Sequence, residues 1–507
     1  MTAGGSDPSE PAAYHHDLLG VARGGGLNFA GTFFNQAMRF VTTFLLARLL
    51  GGAGVGLYFQ AYAFLALLDL VALSGFKKTL TRFVAVHVAE RDPGSLRGTL
   101  RLGLLLPTLA AVILGTVLFV VAPLVATEAF HDVRLIMPLQ VVALALPATV
   151  FTDAALSATQ GFRTMRPYAF IGLIFEPACR IVLTALLLAA GWGLEGAMIA
   201  LLITNLAAAA LAAASLRRIM SRTKAAPRYS FRELFGFSIA SWIATLASAG
   251  LLWIDTILLG LYREPSEVGV YQVATRLVLL ATIFMQPLGE SFAPRVADLY
   301  QRADFSSLKE LYGLVTSWIV RLSMPAFVIL LAFPTDLLTL FGPGFSIAAT
   351  VTVLLAVGEL FDVATGPSGH MLLMSGRPKL TMACNITGLA LNVGLNAWLI
   401  PHYGIIGAAS AWAASLAIIN IMRVGFVWVV MRMLPLDFGL LKALPSALIA
   451  LLIALAVRQI TDGPMTLVVG AAAVVLAYAL TVALMGLTAE DRFVLTILRR
   501  RFDWKGA

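Results

Sequence analysis

The chain has 507 residues, of which 59% are hydrophobic and only 12% charged, with a formal net charge of +9. A soluble protein of this length carries roughly twice that share of charge. The apolar residues come in blocks of roughly 20, the length that crosses a hydrocarbon core of about 30 Å, without the ten-residue alternation of a membrane barrel. An all-α polytopic membrane protein is expected.

The first 25 residues hold no apolar h-region, so no cleaved signal peptide is expected and residues 1–25 read as a tail. Fourteen spans follow, near 26–47, 53–75, 100–124, 135–159, 168–190, 196–216, 234–260, 267–288, 313–341, 347–372, 380–400, 405–430, 440–460 and 464–487. Of the 36 Lys and Arg, 27 fall in segments on one side of these spans or at the span ends facing it, and only Arg48, Arg134, Arg263 and Arg458 fall in loops or at span ends on the other. The positive-inside rule therefore puts both termini in the cytoplasm and accounts for the basic balance without nucleic acid. Cys179 and Cys384 lie inside spans and read as apolar core thiols.

The chain repeats itself. Val55-Gly56-Leu57-Tyr58 matches Val268-Gly269-Val270-Tyr271, Arg82 matches Arg295, and Asp92, Ser95 and Leu96 match Asp304, Ser307 and Leu308. Gly161 matches Gly376, and Gly193-Leu194-Glu195-Gly196-Ala197 matches Gly404-Ile405-Ile406-Gly407-Ala408. The order is kept at offsets between 211 and 215. A duplication of six spans gives two lobes of the same orientation, 26–216 and 234–430, related by an axis along the membrane normal. The pair at 440–487 stands outside the repeat. Residues 217–233 form a basic cytoplasmic linker suited to anionic lipid, and 488–507 an interfacial cytoplasmic tail. The stretches 77–98 and 291–312 are amphipathic and are expected to lie on the membrane surface.

Charges inside spans cost roughly 2.5–3.5 kcal/mol each on the insertion scale, so they are expected to face a partner or a wet cavity. Asn35, Gln36 and Arg39 share one face of span one. Arg39, Asp69, Asp255 and Arg276 belong to spans one, two, seven and eight, which would line a cavity between two lobes. The cations would hold a substrate phosphate, with the acids balancing them or carrying a coupling ion. A structural pairing of Asp255 with Arg276 across their turn fits the residues equally well. Glu176 and Arg180, four apart, suit a salt bridge within one helix, with Pro177 between them as a kink. Asp153 is a further acid in a span, expected with Asp69 and Asp255 to line the cavity or carry a coupling ion. Glu359 and Asp362, three apart, share a face of span ten and could serve proton or sodium coupling. Asn385, Asn392 and Asn396 line one face of span eleven and suit interhelical hydrogen bonds. Lys78, Arg82 and Arg295 lie at the cytoplasmic entrance. Nothing resembles a nucleotide-binding loop or a metal cluster, so no cofactor is expected and energy must come from a gradient or the membrane potential.

The two V-G-x-Y turns, each between long spans, and the basic segment APRVADLYQRADFSSLKELY resemble the polysaccharide transporter branch of the multidrug/oligosaccharidyl-lipid/polysaccharide exporter superfamily, the O-antigen and teichoic-acid flippase type. The resemblance covers about residues 24–487. It implies a V-shaped transporter of fourteen helices that moves a polyprenyl-diphosphate-linked oligosaccharide from the inner to the outer leaflet by alternating access, with cationic residues meeting the diphosphate. Arg39 and Arg276 fit that role, and Arg180 less well. Spans thirteen and fourteen would flank the lipid tail. It also implies membrane lipids as surroundings, H+ or Na+ as a possible coupling ion, and glycosyltransferases or a polymerase as pathway partners. Lipid II flippases differ in the first hairpin, where this chain has Met38-Arg39 and Leu50-Gly51-Gly52, and multidrug extruders usually lack the last two spans; both remain alternatives. A membrane glycosyltransferase would need a large outer loop carrying a carboxylate base, and the outer loops here are short, so a transporter is expected and not an enzyme.

Overall fold

The computed structural model describes residues 10–220, 225–435, 438–461, 463 and 465–485; the expected tail at 488–507 and the first nine residues lie outside them. The secondary structure of the described residues is helical, with turns between the helices and no strand. Two compact units divide the chain, Met1–Gly269 and Val270–Ala507.

In the first unit, α1 (Glu10–Leu73) is followed by α2 (Phe76–Ala89), α3 (Pro93–Leu124), α4 (Ile136–Gly161), α5 (Glu176–Ala189), α6 (Gly193–Met220) and α7 (Phe231–Tyr262). The helix thus begins at Glu10, earlier than the tail read from the sequence, with Pro11 in its first turn where a proline costs no hydrogen bond. Its apolar part, Gly31–Leu73, has 43 residues. At 1.5 Å per residue that is about 65 Å, twice the hydrocarbon core. The chain breaks it at Gly51, whose φ of 66° and ψ of −176° lie in a region open essentially to glycine alone.

α2 is shorter than the surface stretch expected over 77–98. It stops at Ala89, Arg91 takes a φ of 55°, and Asp92 caps α3 by accepting from the backbone N–H groups of Gly94 and Ser95. A capping aspartate followed by a proline at the first helical position is a strong start signal, and it takes 93–98 into α3. The linker is tied to this start. Arg228 pairs with Asp92 at 3.0 Å, and its backbone N–H donates to Gly94 O at 2.9 Å. Any side chain at Gly98 would collide with the Arg228 backbone.

The turns carrying the two V-G-x-Y motifs meet within this unit. A Cβ on Gly56 would strike the Pro265 carbonyl, and one on Gly269 would strike that of Gly52. Gly52 and Pro265 are themselves a repeat pair, as are Gly56 and Gly269, so each glycine abuts the partner of the other's neighbour.

The second unit holds α8 (Pro265–Ala281, entering from the first), α9 (Met285–Gln301), α10 (Phe305–Ala332), α11 (Pro334–Thr339), α12 (Ala349–Thr365), α13 (Ser368–Met374), α14 (Pro378–Met431), α15 (Phe438–Ile460) and α16 (Met465–Leu484). Asp304 caps α10 through the Ser307 N–H, as Asp92 caps α3, so the stretch read as a surface helix over 291–312 divides between α9 and α10. α14, 54 residues long, breaks at Gly404 (φ 56°, ψ −133°), the counterpart of Gly193. α15 and α16 pair and both pack on α10. Arg458 donates to Ala332 O at 3.1 Å, and Gly470 leaves room for the buried Phe333 ring.

Among the described residues, ten helices are long and apolar enough to cross a membrane, or twelve if α7 and the bent pair α8–α9 each count as one span. α1 and α14 each consist of two helical arms meeting at a non-helical glycine, Gly51 and Gly404. Large apolar side chains point outward along these helices: Leu105 and Val120 on α3, Leu476 and Leu484 on α16. Water would not tolerate such a surface, whereas lipid solvates it.

Candidate functional site

The first unit concentrates charge where α1 meets α5. Arg39 is exposed on the first arm of α1, and its Nε donates to Asn35 Oδ1 at 2.7 Å. Asn35 in turn donates to Gly172 O at 3.3 Å. That carbonyl belongs to a π-helical stretch, Tyr168–Phe175, which runs directly into Pro177 at the start of α5. Proline lacks an N–H and disrupts the regular i to i−4 pattern, which is the physical reason for the wider turn before it. Just beyond, Arg180 and Glu176 form an ion pair of 2.6 Å, and the arginine side chain is only 12% exposed.

Aromatic rings complete the cluster. The Arg180 guanidinium lies 5.7 Å over the Tyr62 ring, Tyr62 stacks on Tyr58 at 6.3 Å, and Trp253 of α7 sits 5.1 Å from Tyr62. A guanidinium over a ring face is a favourable electrostatic contact when water is excluded. The sequence reading singled out the arginines and missed the rings. The signal was there: Tyr58 belongs to the V-G-x-Y motif and Tyr62 is one turn further, on the same face.

The charges in this cluster do not cancel. Glu176 neutralises Arg180, while among the described residues no carboxylate pairs with Arg39; the partner it holds is a neutral amide.

Asp69 lies near the C-terminal end of α1, and Asp153 lies on α4. Asp153 forms a 2.8 Å ion pair with Lys77 at the start of α2. Asp69 Oδ1 is buried without a hydrogen-bond partner among the described residues. Asp255 is buried on α7 and Arg276 is half-buried on α8.

The second unit has its own cluster. Glu359 accepts from Trp412 Nε1 at 3.1 Å, and Asp362 accepts from Asn420 Nδ2 at 2.9 Å. Arg423 lies 3.8 Å from Asp362 and donates to Asn385 Oδ1 at 2.8 Å. The two acids share a face of α12, and each has its own partner on the second arm of α14. Trp412 and Asn420 were not legible as site residues, since they stand 53 and 58 residues from the acids they bind. Of the three asparagines of the first arm, Asn385 reaches across the Gly404 break, while Asn396 bonds to Asn392 within its own helix at 3.0 Å.

The three residues expected at the entrance are exposed. Lys78 and Arg82 lie on α2, and the Arg82 guanidinium stacks 4.6 Å over Phe237. Arg295, on α9, is 3.9 Å from Asp298 and borders a groove of about 500 Å³ with Arg302, Glu310 and the cap Asp304.

Apolar helices with interior charge, broken by glycine and duplicated, define a polytopic membrane transporter. The family model described as "Polysaccharide biosynthesis protein" matches residues 21–300, more than half of the chain, and the chain belongs to that family. The MatE model matches 240–398. The chain is 22% identical to the probable low-salt glycan biosynthesis flippase Agl15 of Haloferax volcanii, over 81% of this chain and 84% of that protein. It is 28% identical to the probable flippase AglR of the same organism, over 38% of this chain and 41% of that one. Among solved structures it shares the fold of the lipid II flippase MurJ in an inward closed conformation, with a TM-score of 0.73, 16% identity, and 90% and 98% coverage of the two chains. An inward-facing multidrug resistance MATE transporter matches with a TM-score of 0.64 over 79% of this chain and 94% of that one, also at 16% identity.

Proposed function

We propose that this protein is a flippase that carries a polyprenyl-diphosphate-linked oligosaccharide from the cytoplasmic to the outer leaflet by alternating access, for cell-surface glycan synthesis. One observation carries the reading: Arg39 stands inside a membrane span with a neutral amide as its partner. An uncompensated guanidinium there is costly, and an anionic ligand offsets that cost. A guanidinium binds phosphate oxygens through paired N–H donors, which suits a diphosphate better than an uncharged drug. The relatives named as glycan flippases support the same substrate class.

On this reading, Arg39 and Arg276 meet the diphosphate, and Arg180, held by Glu176, shapes the wall with Tyr58 and Tyr62. Glu359 and Asp362 are candidates for a coupling H+ or Na+. Lys78, Arg82 and Arg295 draw anionic headgroups to the entrance. Each glycine-broken helix counts as two crossings, which brings twelve spans to fourteen: two six-span repeats and an appended pair. The basic loops then face the cytoplasm together with both termini, in the inner (plasma) membrane. Glycosyltransferases and a polymerase of the same pathway are the expected functional partners.

The test is the leaflet distribution of lipid-linked glycan in cells lacking the protein. Accumulation on the cytoplasmic side is expected. An unchanged distribution rejects the flippase reading, and a resistance phenotype on overexpression in its place would favour the multidrug exporter.

A further inference from the structure

The topology proposed above keeps Lys and Arg out of the outer loops, with four exceptions. Two of them, Arg134 and Arg263, line one cavity. Its volume is about 560 Å³, within the roughly 300–1,000 Å³ that holds a small organic ligand. The turn between α3 and α4 forms one wall, and the turn between α7 and α8 forms the other.

The first wall is built rigidly. Asp132 accepts the Arg134 backbone N–H at 2.9 Å and receives the same side chain as a fork, from Nε at 3.0 Å and Nη2 at 2.7 Å. These bonds hold the Asp132 carboxyl below the usual carboxylate range. His131, beside it, takes a φ of 52°, a left-handed conformation that a histidine adopts at a cost. The second wall offers Arg263, Glu264 and the Tyr262 ring, which is 49% exposed.

The cavity therefore has two guanidinium groups and two carboxylates, and its charge cancels. This differs from the environment of Arg39. A diphosphate entering here would meet Asp132 and Glu264 as well as the arginines. An uncharged sugar fits better. Each hydroxyl both donates and accepts, guanidinium groups only donate, and carboxylates only accept, so alternating groups satisfy a polyol without leaving net charge. Tyr262 adds a flat apolar face for a pyranose ring.

We propose that this cavity is a saccharide subsite on the release side, taking uncharged sugar residues of the glycan head. The inference rests on the flippase reading for its biological ligand, and its direct test is independent of transport. The purified full-length chain in nanodiscs is examined by saturation-transfer-difference NMR with free chitotriose, maltotriose and mannotriose as probes. At least one trisaccharide is expected to show saturation transfer, and Tyr262→Ala and Glu264→Gln, both at the cavity rim, to weaken it about tenfold each. Absence of transfer from all three overturns the proposal. So does transfer that survives both substitutions, or that inorganic pyrophosphate displaces. Sugar binding with no effect of deletion on leaflet distribution would keep the subsite and remove the flippase reading. Normal flipping with no sugar binding would do the reverse.

Discussion

The two interior clusters are opposites. Near α5, among the described residues, the first unit has two arginines, Arg39 bonded to Asn35 and Arg180 paired with the carboxylate of Glu176. On α12 and α14 the second unit gathers two carboxylates, Glu359 and Asp362, around one arginine, Arg423. The landmarks of the repeat survive in both halves: the V-G-x-Y turns, the aspartate caps and the glycine breaks. The duplication preserved backbone devices and let the interior charge diverge. An excess cation suits an anionic substrate, and an excess acid suits a proton or metal cation; the two halves are therefore expected to fail differently when altered.

The largest effect is expected where both halves use the same device. Gly56→Val would drive a side chain into the Pro265 backbone, and backbone does not yield as a flexible side chain does. Overpacking of this kind costs on the order of 3 kcal/mol, a large share of a typical folding stability, and is expected to lower the yield of well-folded protein. Gly269→Val is expected to match it, since its neighbour is the Gly52 carbonyl. Fluorescence-detected size exclusion reads both; a monodisperse, wild-type-like peak for either variant would contradict the packing described.

Next comes Arg180→Ala. It leaves the half-buried Glu176 without its 2.6 Å partner, a loss of about 1–3 kcal/mol read as a lower melting temperature. Arg180→Ala combined with Glu176→Gln is expected to recover much of that loss. Failure to recover would mean that Arg180 stabilises the protein mainly through Tyr62.

Glu359→Gln separates charge from structure in the second unit. The amide oxygen still accepts from Trp412 in a side chain of the same shape, so the melting temperature is expected to stay close to that of the unsubstituted chain. If this acid carries a coupling ion, gradient-driven flipping falls roughly tenfold while binding of the substrate persists. Unchanged flipping under both proton and sodium gradients would remove Glu359 from the coupling role.

The smallest effect belongs to the caps. Backbone N–H donation from Ser95 holds Asp92 below the usual carboxylate range, and hydrogen bonds from Ser307 and Ser306 do the same for Asp304. A carboxyl whose folded pKa is depressed contributes stability that is present above its unfolded value of about 3.9 and lost as pH falls through the folded value. Asparagine caps a helix nearly as well without titrating. Asp92→Asn with Asp304→Asn is therefore expected to leave the melting temperature near pH 7 almost unchanged and to flatten its decline below pH 4. A decline as steep as that of the unsubstituted chain would assign the acid sensitivity elsewhere.

Much of this was legible in the chain and some was not, for physical reasons. Hydropathy located the helices because lipid imposes a length on apolar runs. Repeat spacing located both V-G-x-Y turns, and the spacing of four between Glu176 and Arg180 anticipated their ion pair. The breaks expected between separate spans near residues 48–52 and 401–404 are found as kinks, each centred on one non-helical glycine, Gly51 or Gly404, between two helical arms. The partners of Glu359 and Asp362 stayed hidden because Trp412 and Asn420 reach them across a helix interface, and no periodicity reports such contacts. Asp153 was read as a cavity acid and is found paired to Lys77, a residue at the start of the next helix.

The account depends most on Arg39 as the cation that receives the diphosphate. Proteoliposomes loaded with a fluorescent polyprenyl-diphosphate oligosaccharide measure this directly, by following its appearance in the opposite leaflet with Arg39→Ala, Arg39→Lys and unsubstituted protein. Loss of one charge-assisted contact predicts a fall of roughly 10–100-fold for Arg39→Ala, partial recovery with Arg39→Lys, and normal melting temperatures for both. Flipping by Arg39→Ala at the unsubstituted rate, in folded protein, would contradict it.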